Sequence, residues 1–320
     1  MRQVLKYLYG DARRLTLAAA LLASLAALVA PTVIRQREAR DVLLVIDVTG
    51  SMNVRDVNGL ARLAAARQAG QGLLAALPCQ SRLGLGIFTE RRSFLLFEPA
   101  EVCENFAAID GAIAALDWRM AWEGDSYVAR GVHSALTLAA SVNADLVFLT
   151  DGQEAPPLAG GAMPPFDGAG DTRGVLVGVG GPQPVPIPKY NEDGREIGFF
   201  DEADVPQENR MGPPPEDAPS RAGYNPRNAP WGAEAAGGTE HLSSMKAEHL
   251  QALAAQTSLA FLPLESPAQM AGAVLASTRP RPVAVPVATA PIPAALALAL
   301  LAALFVAAAL KSRRPDRLPA

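Results

Sequence analysis

The chain has 320 residues, 50 % of them hydrophobic and 19 % charged, with a mean hydropathy of +0.15. That excludes a disordered chain and is too apolar for an ordinary soluble enzyme. Residues 1–40 carry a net charge of +5 and residues 311–320 one of +3, leaving −12 on residues 41–310. An acidic body argues against nucleic-acid binding, which needs a cationic surface to displace counterions from phosphates.

Residues 15–34 and 291–310 are each free of charge and long enough to cross about 30 Å of hydrocarbon at about 1.5 Å per residue. Both read as transmembrane helices. Arg2, Lys6, Arg13 and Arg14 precede the first, and Lys311, Arg313, Arg314 and Arg317 follow the second. The positive-inside rule then puts residues 1–14 and the basic tail 311–320 in the cytoplasm and the body outside, although Arg35, Arg37 and Arg40 oppose it. The expected location is a bacterial inner membrane with the main domain in the periplasm. A signal peptide cleaved near Ala30 is the competing reading of the first span; Pro31 directly after that site favours an uncleaved anchor. Residues 35–40 and 276–290 read as linkers.

Between the spans, residues 41–275 read as one domain. Asp41-Val-Leu-Leu-Val-Ile46 is a buried central strand. A helix is expected over 60–77, closed by Pro78. Strands over 82–88 and 93–97 make a hairpin turning at Glu90-Arg91-Arg92. Helices over 102–116 and 127–141 and strands over 145–150 and 174–179 follow. Residues 182–230 hold 11 of the 27 prolines, which cannot donate to a sheet ladder, so an insertion over 182–240 runs on the surface. Within it, Asn191-Glu-Asp-Gly194 is a turn between two short arms. A helix over 244–256, a strand over 259–264 and a helix over 267–275 complete the domain. Strands alternating with helices give an α/β class: a doubly wound, mostly parallel sheet with helices on both faces.

Ligands of such sheets bind beyond the carboxyl ends of the strands. Asp47-Val-Thr-Gly-Ser-Met52 follows the first strand, Asp151-Gly152 follows the one ending at Thr150, and Gly124-Asp-Ser126 opens a helix between them. Singly, such residues cap helices and turn loops. Three loop tops bearing hydroxyls and carboxylates, with neither His nor Cys, describe a site for a hard divalent ion: Mg²⁺ first, then Mn²⁺ or Ca²⁺.

Asp47-x-Thr49-x-Ser51 with Ser126 and Thr150-Asp151-Gly152 resembles the metal-ion-dependent adhesion site of the von Willebrand factor A (vWA) domain. Thr49 stands where that family has its first Ser, and Ser126 where it has Thr; both exchanges keep a hydroxyl. The resemblance implies a metal held by Asp47, Thr49, Ser51, Ser126 and Asp151. Ser51 and Thr49, or Ser126, would bind directly, and the two Asp through water. A vacant position would take an Asp or Glu carboxylate from a protein partner. Gly50 is expected to let the first loop turn freely. Asp125, beside Ser126, has no role in this scheme.

With its basic tail after the last span, the layout resembles the membrane-anchored BatA/BatB-like proteins, stress or assembly factors. Arg82-Leu-Gly-Leu-Gly-Ile-Phe-Thr-Glu90, Arg119-Met-Ala-Trp122, Thr150-Asp-Gly-Gln-Glu-Ala-Pro-Pro157 and Pro184-Val-Pro-Ile-Pro-Lys189 are similar to the vWA proteins of the methanol-oxidation cluster, the MxaL kind. That resemblance implies an accessory role in maturing periplasmic methanol dehydrogenase, including calcium insertion.

Other chemistry has less to stand on. His133, His241 and His249 lack zinc spacing, no Gly-x-Ser-x-Gly elbow surrounds a serine, and no Gly-rich phosphate loop ends in Lys. A metal-assisted hydrolase would need a base, for which the loops offer Asp125 and Glu154; a binding module that is not an enzyme is the expectation. Trp118 and Trp122 read as a packed helix end. Cys79 and Cys103 flank the hairpin and, outside the cytoplasm, form an expected disulfide. The acidic body is expected to repel an acidic partner, so that moderate salt helps association.

Overall fold

The computed structural model describes residues 2–121, 125–158, 161–166, 168, 172–202, 204–205, 216–221 and 239–312. In chain order the regular elements are α1 (Arg2–Leu28), β1 (Thr32–Ala39), β2 (Asp41–Asp47), α2 (Arg62–Ala76), β3 (Arg82–Thr89), β4 (Arg92–Glu101), α3 (Phe106–Ala114), α4 (Val128–Ser141), β5 (Asp145–Thr150) and β6 (Gly174–Gly178). There follow β7 (Val185–Pro186), β8 (Pro188–Tyr190), β9 (Glu196–Phe199), β10 (Leu242–Ser243), α5 (Ala247–Thr257), β11 (Ala260–Pro263), α6 (Pro267–Ser277), β12 (Arg281–Ala288) and α7 (Pro291–Ser312). They fall into two units, residues 38–281 and the two chain ends.

In the larger unit six strands run in the order β11-β6-β5-β2-β3-β4, parallel except for β4, which turns back on β3. Side chains alternate across this sheet with the two-residue period of a strand. Val42, Leu44 and Ile46 of β2 pack with Leu73, Ile113 and Met270 of α2, α3 and α6. Leu43 and Val45 pack on the opposite face with Val132 of α4 and Leu250 and Leu253 of α5. All five of these β2 residues are fully buried, and the strand is polar only at its two ends, Asp41 and Asp47. The sheet is thus covered on both faces, as a continuous aliphatic run requires.

The third helix begins later than the sequence pattern suggests, at Phe106 rather than 102. The Glu101 carboxylate accepts from the backbone amide of Glu104 at 2.6 Å and closes a turn first. Cys79 and Cys103 are joined by a disulfide with Cα atoms 5.2 Å apart. The insertion folds in part: β8 and β9 form a hairpin around Asn191–Gly194, where Gly194 takes φ +75°, and β7 pairs with β10.

The chain ends differ from expectation in two respects. Among the described residues one helix, Pro291–Leu310 with mean hydropathy 2.5, is long and apolar enough to cross a membrane. The expected span over 15–34 is cut short, because α1 ends at Leu28 and residues 32–34 belong to β1. Proline disfavours helix at the residue before it, which stops α1 ahead of Pro31. The expected linkers at 35–40 and 276–290 are largely structured: β1 and β12 pair as a two-stranded sheet and α6 runs to Ser277. Pro282 and Pro286 are four residues apart, so both can point their missing N–H away from a single neighbour.

Candidate functional site

Strand β2 and its neighbour β5 end side by side where the sheet's connections diverge, so their loops open on one crevice. Asp47, the last residue of β2, is fully buried. Its Oδ1 accepts from the backbone amide of Thr49 at 2.8 Å and from the Thr49 hydroxyl at 2.7 Å, while Oδ2 accepts from the Thr150 hydroxyl at 2.6 Å. These bonds fold the first loop back and fix it to the end of β5. Ser126 is held by its backbone. Its amide donates to Ala155 O at 2.6 Å, its carbonyl accepts from Ala155 N at 2.7 Å, and the next amide, of Tyr127, donates to Glu90 O at 2.6 Å.

Asp151 is fully buried too, and its carboxylate is heavily engaged. Oδ1 accepts from the Gln153 amide at 2.9 Å. Oδ2 accepts from Arg62 at 2.6 Å and from the Ser243 hydroxyl at 3.1 Å. Arg62, at the start of α2, has no exposed side-chain surface and also pairs with Asp56, through Nε at 2.9 Å and Nη2 at 2.6 Å. Burial alone would lower its pKa; the hydrogen bond to Asp56 and the charges of Asp151 and Asp56 hold it above its ordinary value. Asp56 also accepts from the Gly181 amide at 2.8 Å, so one guanidinium links the third loop to both ends of the insertion, at Gly181 and Ser243. Nothing in the local sequence marked Arg62, Asp56 or Ser243, because the contacts span 6 to 181 residues.

The hydroxyls of Ser51 and Ser126 are buried with no hydrogen-bond partner among the described residues, and so is Oε1 of Gln153. All three residues line one cavity of about 190 Å³ together with Thr49 and Gly50. An unmade hydrogen bond on a buried polar atom costs about 1–3 kcal/mol, so three at one cavity call for an explanation. Burial, and next the charge of Asp151, push the Asp47 carboxyl up to about 7 against the hydrogen bonds from Thr150 and Thr49. Two hydroxyl oxygens facing a cavity, backed by two carboxylates, form the donor set a hard divalent cation takes. Among the described residues there is no group of three or more His, Cys, Asp or Glu side chains placed to hold a metal, so any metal here depends on the hydroxyls.

Residues 42–153 match the von Willebrand factor type A domain. That stretch, about a third of the chain, is a vWA-type domain. Solved structures similar to the chain include an aerotolerance-related membrane protein from Bacteroides fragilis carrying multiple mutations to serine. It is 14 % identical, covers 74 % of this chain and 97 % of that one, and gives a TM-score of 0.47. Protein BatB from Bacteroides thetaiotaomicron is 12 % identical over 73 % of this chain and 96 % of its own, with a TM-score of 0.46. No curated protein matches the sequence.

Of the five expected site residues, Thr49, Ser51 and Ser126 line the cavity; Asp47 and Asp151 are not among its lining residues, Asp47 being bonded to Thr49 and Thr150 and Asp151 to Arg62 and Ser243. Gly50 is not demanded by the loop. A Cβ there would meet nothing within 4 Å, and the glycine borders the open cavity. Gly152 is demanded: its φ is +79° and a Cβ would lie 2.9 Å from Leu250. Trp118 is packed against the core as expected, but not at the end of an α-helix. It sits in a single 3₁₀ turn, lines the cavity and stacks on Tyr190 of the insertion at 4.8 Å. Trp122 and Gly124 lie outside the described residues. Ile187, Phe200, Asp204, Val205 and Glu240 of the insertion complete the cavity wall. Glu154 spends its carboxylate on the first amides of α4, at Val128 (3.0 Å) and Ala129 (2.8 Å), and on His249 at 3.1 Å.

Proposed function

We propose that this protein holds a vWA domain at the bacterial inner membrane, facing the periplasm, where it binds a divalent cation and through it a protein partner. The hydroxyls of Ser51 and Ser126 are the direct ligands, with Thr49 beside them. Asp47 and Asp151 stand behind, their oxygens committed to Thr49, Thr150, Arg62 and Ser243. Mg²⁺ suits this oxygen set best, with Mn²⁺ and Ca²⁺ as alternatives. An ion bound mainly by neutral hydroxyls keeps its charge for an incoming ligand, and a partner's Asp or Glu carboxylate meets that need. The observation that carries this reading is the pair of buried, unpartnered hydroxyls at one cavity.

The domain acts as an accessory or assembly factor rather than an enzyme, with periplasmic methanol dehydrogenase as the client to which the sequence phrases point. The engagement of Glu154 supports the non-catalytic reading, since its carboxylate is spent on backbone amides and a histidine. Capture of a partner from solubilised membranes by the full chain, with and without chelator, tests the proposal. Capture should require the ion and be lost in Ser51→Ala; capture that persists in excess chelator would overturn it.

A further inference from the structure

Three arginines lie next to the backbone that holds Ser126, on a body whose net charge is −12. Arg91 and Arg92 lie at the turn from β3 to β4, and Arg130 lies in the first turn of α4; all three are exposed. Guanidinium carbons of Arg91 and Arg130 both sit over the ring of Tyr127, 5.2 and 5.4 Å from its centre, and that of Arg92 sits 4.8 Å from the centre of Phe94. Arg55 and Arg119, also exposed, are instead tied to carboxylates, those of Glu196 and Asp117. These three have rings for partners and, among the described residues, no ion pair. A cation on an aromatic face is oriented without losing its charge, so it stays available to an anion.

The three arginines join the site through the backbone. Tyr127 follows Ser126, whose hydroxyl faces the cavity unpartnered, and Arg91 follows Glu90, whose carbonyl accepts from the Tyr127 amide. We infer that Arg91, Arg92 and Arg130, held on Tyr127 and Phe94, are a docking rim for an acidic protein segment, one carboxylate of which reaches the Ser51–Ser126 site. The inference rests on the metal-dependent reading above and adds the chemistry of the partner: further acids flanking the one at the ion. Carboxylates rather than phosphates are the anion here because the reading of the ion site already calls for a partner's Asp or Glu.

The rim reverses the salt dependence that the net charge alone predicts. Screening acts over about 8–10 Å at physiological salt and weakens close pairs as well as diffuse repulsion. Docking on three guanidiniums therefore weakens as salt rises, and without them only the repulsion of the acidic body is left to screen.

The full chain in neutral detergent, titrated with a fluorescent Asp/Glu-rich decapeptide in Mg²⁺, tests this by anisotropy. The triple variant Arg91→Gln, Arg92→Gln, Arg130→Gln should bind the peptide about tenfold more weakly with Mg²⁺ affinity unchanged. Salt should weaken wild-type binding and leave the variant's flat or slightly improved. Equal peptide affinity in variant and wild type, no binding at all, or tighter wild-type binding with salt would overturn the rim. So would a labelled oligonucleotide that outcompetes the peptide. Loss of binding in chelator and in Ser51→Ala but not in the arginine variant would refute the rim and leave the metal reading standing. The converse pattern would refute the metal reading and leave the rim.

Discussion

The two ends of the central sheet each carry a cavity, and they differ in how their polar groups are satisfied. At the amino ends of the strands a cavity of about 660 Å³ is lined by Asp41, Asp145, Arg279 and Arg281 among others. There Asp41 is paired with Arg281 at 2.7 Å, and Asp145 accepts from the Arg279 amide at 2.6 Å and its side chain at 3.0 Å. At the carboxyl ends the cavity is smaller, about 190 Å³, yet Ser51, Ser126 and Gln153 each leave a buried polar atom unpartnered on it. None of the residues lining the larger cavity does so among those described. Charge that is already paired builds a joint, and unspent polar atoms build a site; volume does not separate the two.

The largest expected effect comes from removing the buried Arg62 guanidinium at the carboxyl, or upper, ends of the strands. Arg62→Met should cost about 3–5 kcal/mol in denaturant unfolding, because it leaves the Asp56 and Asp151 carboxylates without their counter-charge. A loss under about 1 kcal/mol would mean that the guanidinium holds neither the loop nor the insertion. This engagement also makes Asp151→Ala a poor test of the metal, since it strips Arg62 of a partner along with any ligand.

Asp47 sets the next effect. Its carboxyl titrates near 7 in the fold against an ordinary 3.8, so between those values the folded state holds the extra proton. Metal-free protein should therefore lose stability as pH rises from about 4 to about 7, by up to about 1.4 kcal/mol per unit. Asp47→Asn should flatten the profile. Chemical unfolding in chelator across that range reads it directly, and a rise in stability over the same window would reverse the account of the burial.

At the lower end, Asp145→Asn should cost about 1–3 kcal/mol, moderated because the Arg279 side chain is 46 % exposed. Mg²⁺ affinity should not change. A change would show that the two ends are coupled. The smallest contrast lies between two glycines of the upper loops. Gly152→Ala should cost more than about 1 kcal/mol, for its positive φ and the contact with Leu250, whereas Gly50→Ala should stay within about 0.5 kcal/mol. Thermal unfolding of the pair decides it.

How much of this was legible in the sequence follows from the range of the interactions. Aliphatic runs such as 42–46 announce strands because burial on both faces needs no partner of a particular sequence. Asp47 and Asp151 could be read because the chain turns polar where each strand ends. Arg62 could not, since an arginine opening a helix is ordinarily solvated and only the fold shows that it points inward. Trp118 was misplaced because α3 stops at Ala114 and the chain then crosses to the cavity. The β1–β12 ladder was hidden by prolines that an edge tolerates and a central strand does not.

The central claim is that the unpartnered hydroxyls at the upper end await a cation, and one variant tests it most directly. Ser51 Oγ and Ser126 Oγ make no hydrogen bond among the described residues, so Ser51→Ala with Ser126→Ala removes nothing that holds the fold together. Thermal unfolding of the full chain in detergent, in chelator and in excess Mg²⁺, should find the double variant at least as stable as wild type without the ion, with only the wild type stabilised by it. Equal stabilisation of both by Mg²⁺, or of neither, would contradict the account.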